Sequence, residues 1–103
     1  MRALKSDGLL IQQSESPLVH LDSIIKPMHA CMRNAGFGNT KLIYFPLPSY
    51  PIGWWTATMA SKTDSISFGR EEEARRLNII TQYYNHAIHL GSFATPQFLL
   101  ENF

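Results

Sequence analysis

A proline-rich corner between two apolar runs carries the side chain best placed for chemistry, the phenol of Tyr50. Residues 46–53 hold three prolines and a glycine, and each proline fixes φ at about −65° and removes a backbone donor, so the corner is stiff. Trp54 and Trp55 follow directly. A phenol on a rigid corner, backed by indole rings, is suited to forming one wall of a small-ligand site. The alternative is a stiff hairpin whose Tyr50 only packs on the surface, and the residues alone leave both open.

Gln13 and Glu15 form a second candidate pair, two residues apart after the apolar run Leu9–Ile11. A short continuous apolar run is typical of a strand that is covered on both faces of an α/β sheet. If the strand extends to residue 15, alternation places both side chains on one face. Ligands of open α/β sheets bind beyond the carboxyl ends of the strands, where this pair would lie. A solvated strand end is the commoner explanation of so short a motif.

His86 and His89 are spaced three residues apart in the tail and would form at most half of a metal site. Cys, Asp and Glu are missing from the neighbouring sequence, so we predict that the two histidines are helix and turn residues and that no metal is bound.

Three stretches together resemble one known family. Pro-Ser-Tyr-Pro-Ile-Gly-Trp-Trp at residues 48–55, with Ala-Ser-Lys at residues 60–62, is similar to the Pro-Thr-Tyr-Pro-Ser-Gly … Ser-Lys signature of the spermidine synthases, which are polyamine aminopropyltransferases. The chain departs from that signature at Ser49 and Ile52. Residues 2–16 resemble the family's strand ending in Gln-x-Glu-Ser, and residues 83–98 resemble its Tyr-Tyr-Asn … Pro-Gln-Phe tail. The resemblance covers nearly the whole chain but only the C-terminal part of the family's usual length.

This resemblance implies aminopropyl transfer from decarboxylated S-adenosylmethionine, as co-substrate, to putrescine or a related polyamine, with no other cofactor. It implies that Gln13 and Glu15 bind the acceptor amine and ammonium, and that Tyr50 is a catalytic residue at the attacking nitrogen. Trp55 would cover the alkyl stem or make a cation–π contact. In the family, the main base and the donor-binding loop precede the matched part, so we expect the chain to be inactive on its own. The alternative is a non-catalytic oligomerising or relic domain.

The predicted elements are a strand, a helix, two strands and a helical tail. Residues 1–6 should end a helix, and Ser16–Pro17 should start the next one, which Pro27 should kink or split near Lys26. The short corner predicts antiparallel neighbouring strands at Asn39–Leu47 and Trp54–Lys62.

Helical turns are also predicted at residues 70–76 and from Pro96 onward. This order resembles the C-terminal half of a class I methyltransferase-like Rossmann sheet, an α/β fold with an antiparallel last strand pair. We therefore expect residues 1–103 to be a single partial domain.

Composition excludes several classes of protein. The 103 residues have a formal net charge of +1, which gives no basic surface for nucleic acid, and no apolar run approaches the roughly 18 residues of a membrane span. A single cysteine, Cys31, rules out an internal disulfide and fits a cytoplasmic location. In the resembling fold another strand precedes Leu9–Gln13, so this edge would be unpaired here. We predict a homo-oligomer that forms through the edge.

Overall fold

A computed structural model describes residues 2–101 of the chain. These residues fall into two units, one ending at Ser67 and one beginning at Phe68.

The first unit contains a three-stranded antiparallel sheet. Its strands are β1 (Leu9–Glu15), β2 (Asn39–Pro46) and β3 (Trp54–Ser61), in the order β1-β3-β2. The last strand in the sequence is therefore central and runs antiparallel to both neighbours. This arrangement confirms the predicted antiparallel pair and the reversed strand inserted beside an earlier one, and both observed strands end one residue earlier than predicted.

The segment between β1 and β2 is helical, but it begins later than predicted. Residues 17–19 form a turn and residue 20 a bend, because Ser16 accepts hydrogen bonds locally: its carbonyl from His20 N at 2.9 Å and its hydroxyl from Leu18 N at 3.3 Å. A π-helical turn, Leu21–Ile25, leads into α1 (Lys26–Asn34). The predicted break near Lys26 is confirmed, since the proline that follows occupies the first turn of α1, where no donor is needed.

The predicted helix end at residues 1–6 is wrong for the part that the structure describes. Residues 2–7 form turns and a bend, and Gly8 N donates to Lys5 O at 3.1 Å. This single local bond closes a turn without starting a helix. Met1 lies outside the described residues.

The two faces of the sheet differ in how they are covered. The face that carries Leu42, Tyr44 and Ala60 is buried, and α1 packs against β2 and β3. On β1, Leu9 and Ile11 are exposed by 52% and 58%. One face of the sheet thus packs against α1, while the other face is buried along part of β3 and leaves apolar side chains of β1 in solvent.

The second unit consists of short helices: α2 (Glu71–Arg76), α3 (His86–Gly91) and α4 (Gln97–Leu100). The predicted helical turns at residues 70–76 and after Pro96 are confirmed. The side chain of Asn85 caps α3 by accepting a hydrogen bond from Ile88 N at 2.8 Å. Within residues 2–101, no helix is both long and apolar enough to cross a membrane.

The outer edge of β1 gives the first testable prediction. In the described residues β1 pairs only with β3, so its other row of backbone groups can pair with a second chain. We expect the purified chain to form a dimer or higher oligomer at tens of micromolar, and Ile11→Lys to weaken it, because a charge on an edge strand opposes pairing. Light scattering after size exclusion across a dilution series measures the mass.

Leu77→Lys is the matched control, since Leu77 is also 58% exposed but lies outside any strand. A wild-type chain that stays monomeric, or equal weakening by both lysines, would contradict the prediction.

Candidate functional site

The corner between β2 and β3 is held by backbone hydrogen bonds. Leu47 N donates to Gly53 O at 2.8 Å, Tyr50 N to Leu47 O at 3.1 Å, and Gly53 N to Tyr50 O at 3.0 Å. Gly53 has φ +72°, a left-handed conformation that favours glycine. Residue 50 is therefore fixed in place by the backbone on both of its sides.

Tyr50 lies face to face with Trp55, the second residue of β3. The ring centroids are 4.6 Å apart and the planes differ by 13°. Tyr50 is 48% exposed whereas Trp55 is 5% exposed, so the indole supports a phenol that faces solvent. The His20 ring meets Trp55 edge-on at 6.3 Å. The indole Nε1 is buried and donates to no acceptor among the described residues, which costs about 1–3 kcal/mol.

Gln13 and Glu15 lie at a break in the β1–β3 register. Gln13 pairs with Ala57 and Glu15 with Thr56, so two residues of β1 advance against one of β3. Glu15 has φ 70°, a conformation that costs a residue with a side chain roughly 1–2 kcal/mol. The assumption that simple alternation sets the faces of these two side chains is wrong, because the bulge interrupts it.

The antiparallel pairing brings the four candidate residues to one end of the sheet. Thr56 lies opposite Glu15, and Trp54 lies opposite Pro46, so the start of β3 lies beside the carboxyl ends of β1 and β2. Tyr50, in the corner, and Trp55, near the start of β3, lie at the same end. This is the side of a sheet where α/β proteins bind ligands.

A buried polar network lies directly behind this end, and the sequence reasoning missed it. The Ser14 hydroxyl is 3.0 Å from those of both Thr56 and Thr58, and Thr58 Oγ1 is 3.1 Å from His29 Nε2. Thr56 also donates to Glu15 O at 2.7 Å. The available sequence signal was a pair of threonines two apart in a strand that is otherwise mostly apolar, because such threonines share one face.

His29 joins this network from α1. His29 is 2% exposed, and its Nδ1 lies 2.9 Å from Thr40 Oγ1. This hydroxyl oxygen accepts a hydrogen bond from Arg33 Nη1 at 3.1 Å. Burial, reinforced by the Arg33 charge, lowers the pKa of His29 from 6.5 to about 4. The imidazole is therefore neutral at pH 7.

The histidines of the second unit have protein partners. His86 Nε2 lies 2.8 Å from Glu71 Oε1, and that hydrogen bond is the main cause that lowers the pKa of Glu71. His89 hydrogen-bonds the Tyr84 hydroxyl at 2.7 Å and stacks on Phe68 with centroids 3.6 Å apart. Among residues 2–101, no three His, Cys, Asp or Glu side chains are grouped so that they could hold a metal ion. A cavity of about 510 Å³ beside His86 is lined by Phe68, Arg70, Glu73, Ala74, Arg75, Leu77, Ile79, Tyr84 and Asn85.

Comparison with known proteins identifies the family. The model of the spermine/spermidine synthase domain matches residues 1–70. The chain belongs to the spermine/spermidine synthase family. The family match includes β1, α1, β2, β3 and the corner that carries Tyr50.

Full-length relatives show how much of the family protein is represented. The chain is 54% identical over 98 residues to a polyamine aminopropyltransferase from Thioalkalivibrio sulfidiphilus, covering 95% of this chain and 35% of that protein. It is 50% identical over 97 residues to one from Methylococcus capsulatus, covering 94% and 33%. The chain thus spans about a third of the length of these relatives and corresponds to their C-terminal portion.

A solved structure supports the same conclusion for the fold. The spermidine synthase from Thermotoga maritima superposes with a TM-score of 0.72 at 32% identity, covering 96% of this chain and 35% of that one. A spermidine synthase in complex with the transition-state analogue AdoDATO gives the same score and identity. The predicted membership of this family and the methyltransferase-like α/β fold are confirmed.

Acid should destabilise the first unit through His29. Between pH 6.5 and about 4, His29 binds a proton in the unfolded chain but not in the native one. The free energy of unfolding therefore has its full value above pH 6.5 and decreases as the pH falls below 6.5. We expect this group to account for a loss of about 2 kcal/mol between pH 7.5 and pH 5. Urea unfolding followed by tryptophan fluorescence at each pH measures it.

His29→Gln is the control, because its amide keeps a polar group in the site without titrating. The variant should lose roughly 2 kcal/mol less than the wild type over the same pH interval. Parallel pH profiles for the two proteins would show that His29 titrates with an ordinary pKa.

Proposed function

We propose that the chain forms the acceptor side of a polyamine aminopropyltransferase, which transfers an aminopropyl group from decarboxylated S-adenosylmethionine to putrescine. The observation that carries the proposal is the half-exposed Tyr50, stacked on buried Trp55, at the end of the sheet that also holds Gln13 and Glu15. Membership of the spermine/spermidine synthase family supports the choice of reaction.

The reaction needs an aligned, neutral amine. The amine nitrogen attacks the carbon next to the sulfonium; the new C–N bond forms as the C–S bond breaks, and methylthioadenosine leaves with the electron pair. The attacking nitrogen gives up one proton to a base. Alkylamines have pKa values of roughly 10, so a diamine enters with both nitrogens charged, and the site must hold one ammonium while it deprotonates the other. Alignment at attack distance supplies the rest of the rate enhancement.

Gln13 and Glu15 are assigned to the diamine. Glu15 would hold an ammonium with its carboxylate, directly or through a water molecule, and Gln13 would accept a hydrogen bond from an amine through its amide oxygen. The bulge supports this assignment, since β-bulges are over-represented beside active sites, where they re-aim side chains.

Tyr50 is assigned to the attacking amine, with which its hydroxyl would exchange a hydrogen bond. The stack on Trp55 and the backbone bonds of the corner hold the phenol in place before substrate binds. Because Trp55 is covered by Tyr50 on one face, its main proposed part is to support the phenol. A contact between Trp55 and the alkyl stem remains a prediction.

The donor side and the main base are assigned to the part of the family protein that the chain does not span. We propose that residues 1–103 belong to a single catalytic domain of a cytoplasmic enzyme. The lone thiol of Cys31 supports a reducing compartment.

A second candidate is a non-catalytic oligomerising domain. The exposed Leu9 and Ile11 on the outer strand favour it, because an unpaired apolar edge is a surface for pairing with another chain. The two candidates differ in whether the chain supports turnover when the rest of the enzyme is supplied.

Activity should require the rest of the enzyme. We expect no release of methylthioadenosine when the 103-residue chain alone is mixed with decarboxylated S-adenosylmethionine and putrescine, because losing a general base costs roughly 10²–10⁴-fold and no donor site orients the co-substrate. We expect turnover when the chain replaces the matched segment of the Thioalkalivibrio sulfidiphilus relative; this fusion is called the chimera below.

Chromatographic assay of methylthioadenosine decides between the candidates. The matched control is a chimera that lacks the inserted chain. A folded, soluble chimera without turnover would favour the non-catalytic domain, and turnover by the chain alone would overturn the assignment of donor side and base.

Tyr50→Phe in the chimera should lower kcat by roughly 10- to 100-fold and change the melting temperature little. The substitution removes one hydroxyl from a half-exposed ring and keeps the stack on Trp55. Tyr83→Phe is a control, because Tyr83 is another exposed tyrosine, in the second unit. A large fall in melting temperature with unchanged turnover per folded molecule would make Tyr50 a packing residue.

A further inference from the structure

A row of six side chains crosses the first unit from its surface to the candidate site. Arg33 and Thr40 start the row, His29 and Thr58 continue it, and Ser14 and Thr56 lead to the Glu15 carbonyl. The hydrogen bonds that follow the surface arginine are 2.7–3.1 Å long and join α1, β2, β3 and β1. The row ends on the residue whose left-handed backbone forms the bulge beside Gln13.

Counting protons fixes the direction of every bond in this row. A carbonyl only accepts, so the one hydroxyl proton of Thr56 goes to Glu15 O. Ser14 must then donate to Thr56, and Thr58 must donate to Ser14. Each hydroxyl has a single proton, which leaves each of them an acceptor toward the preceding member.

The same count assigns the tautomer of His29. Thr58 has spent its proton on Ser14, so His29 Nε2 must carry a hydrogen and donate it to Thr58. In the neutral ring Nδ1 is then the acceptor of the Thr40 proton, and Thr40 accepts from Arg33. All the bonds point the same way, from the arginine toward the Glu15 carbonyl, an arrangement in which hydrogen bonds polarise one another.

We infer that His29 is a positioning residue for the diamine site: its Nε2–H orients the Thr58, Ser14 and Thr56 hydroxyls, and these fix the Glu15 carbonyl and hence the bulge that presents Gln13 and Glu15. The effect on substrate rests on the proposed function. The row of directed hydrogen bonds, called the relay below, does not depend on it. His29 touches no reacting atom. It acts by keeping a conformation that Glu15 would not adopt by preference.

The first test examines the relay in the 103-residue chain without substrate. Long-range ¹⁵N–¹H correlation spectra at pH 7 should show His29 protonated at Nε2 and bare at Nδ1. Thr58→Val removes the hydroxyl at nearly constant volume and should raise amide hydrogen exchange at residues 14–16 about tenfold relative to that of β2. Thr58→Ser keeps the hydroxyl and should leave this ratio unchanged.

Exchange that rises equally in residues 14–16 and β2 would indicate general destabilisation and would overturn the positioning role. A folded Thr58→Val protein with unchanged exchange would also overturn it. The Nδ1–H tautomer would overturn the direction of the relay.

The second test measures the consequence for substrate in the chimera. Thr58→Val and His29→Leu should each raise the KM for putrescine about tenfold and leave the KM for decarboxylated S-adenosylmethionine within twofold, a size typical of substitutions along a network. The double variant should lose no more than the worse single variant, because both break the same chain of bonds. His29→Gln, which can still donate to Thr58, should recover most of the putrescine KM.

The outcomes separate the two hypotheses. A wild-type chimera without turnover contradicts the proposed function, while the exchange ratio and the tautomer still decide the relay. An active chimera in which both variants leave the putrescine KM unchanged, or raise both KM values equally, overturns the positioning role while the proposed function stands.

Discussion

Backbone hydrogen bonds on both edges of β3 hold the first unit together. β1 and β2 do not pair with each other, so each depends on the central strand for its place in the sheet. Near its start the same strand carries Trp55, which supports Tyr50, and then Thr56, which lies opposite Glu15. The candidate site therefore inherits its geometry from the strand that the sheet itself requires.

The central strand is polar where a packing argument would place apolar side chains. Thr56 and Thr58 are fully buried, and burying an unpaired hydroxyl costs roughly 1–3 kcal/mol, so their bonds to Ser14 and His29 are needed simply to make the fold possible. The same bonds tie the helix α1 to the backbone conformation at Glu15, which connects core packing to the candidate site.

Local sequence signals predicted the hairpin well and the region around Glu15 poorly. Prolines and Gly53 act through their own dihedral angles, so the stiff corner and the strands on either side of it could be inferred from sequence. The bulge at Glu15 is set by a register against β3, more than 40 residues away in the chain, and no local pattern encodes it. His29 was missed for the same reason, since it lies in α1 and its partners come from two strands that follow it in the chain. The predicted helix start was wrong because Ser16 accepts hydrogen bonds within a local turn instead of capping a helix.

The strand order also constrains when the sheet can form. β2 and β3 are joined by a short corner, whereas β1 pairs with a strand that follows it by some 40 residues. Bringing β1 to its partner therefore has the larger cost in loop-closure entropy. We expect the hairpin to form early and β1 to dock late. Folding φ-values, the ratios of the change in activation free energy to the change in stability, would then be near 1 at Ile43 and near 0 at Leu10. During synthesis on a ribosome, residues 9–46 would then stay without a sheet until β3 has emerged, so the earliest part of the first unit is the last to gain its structure.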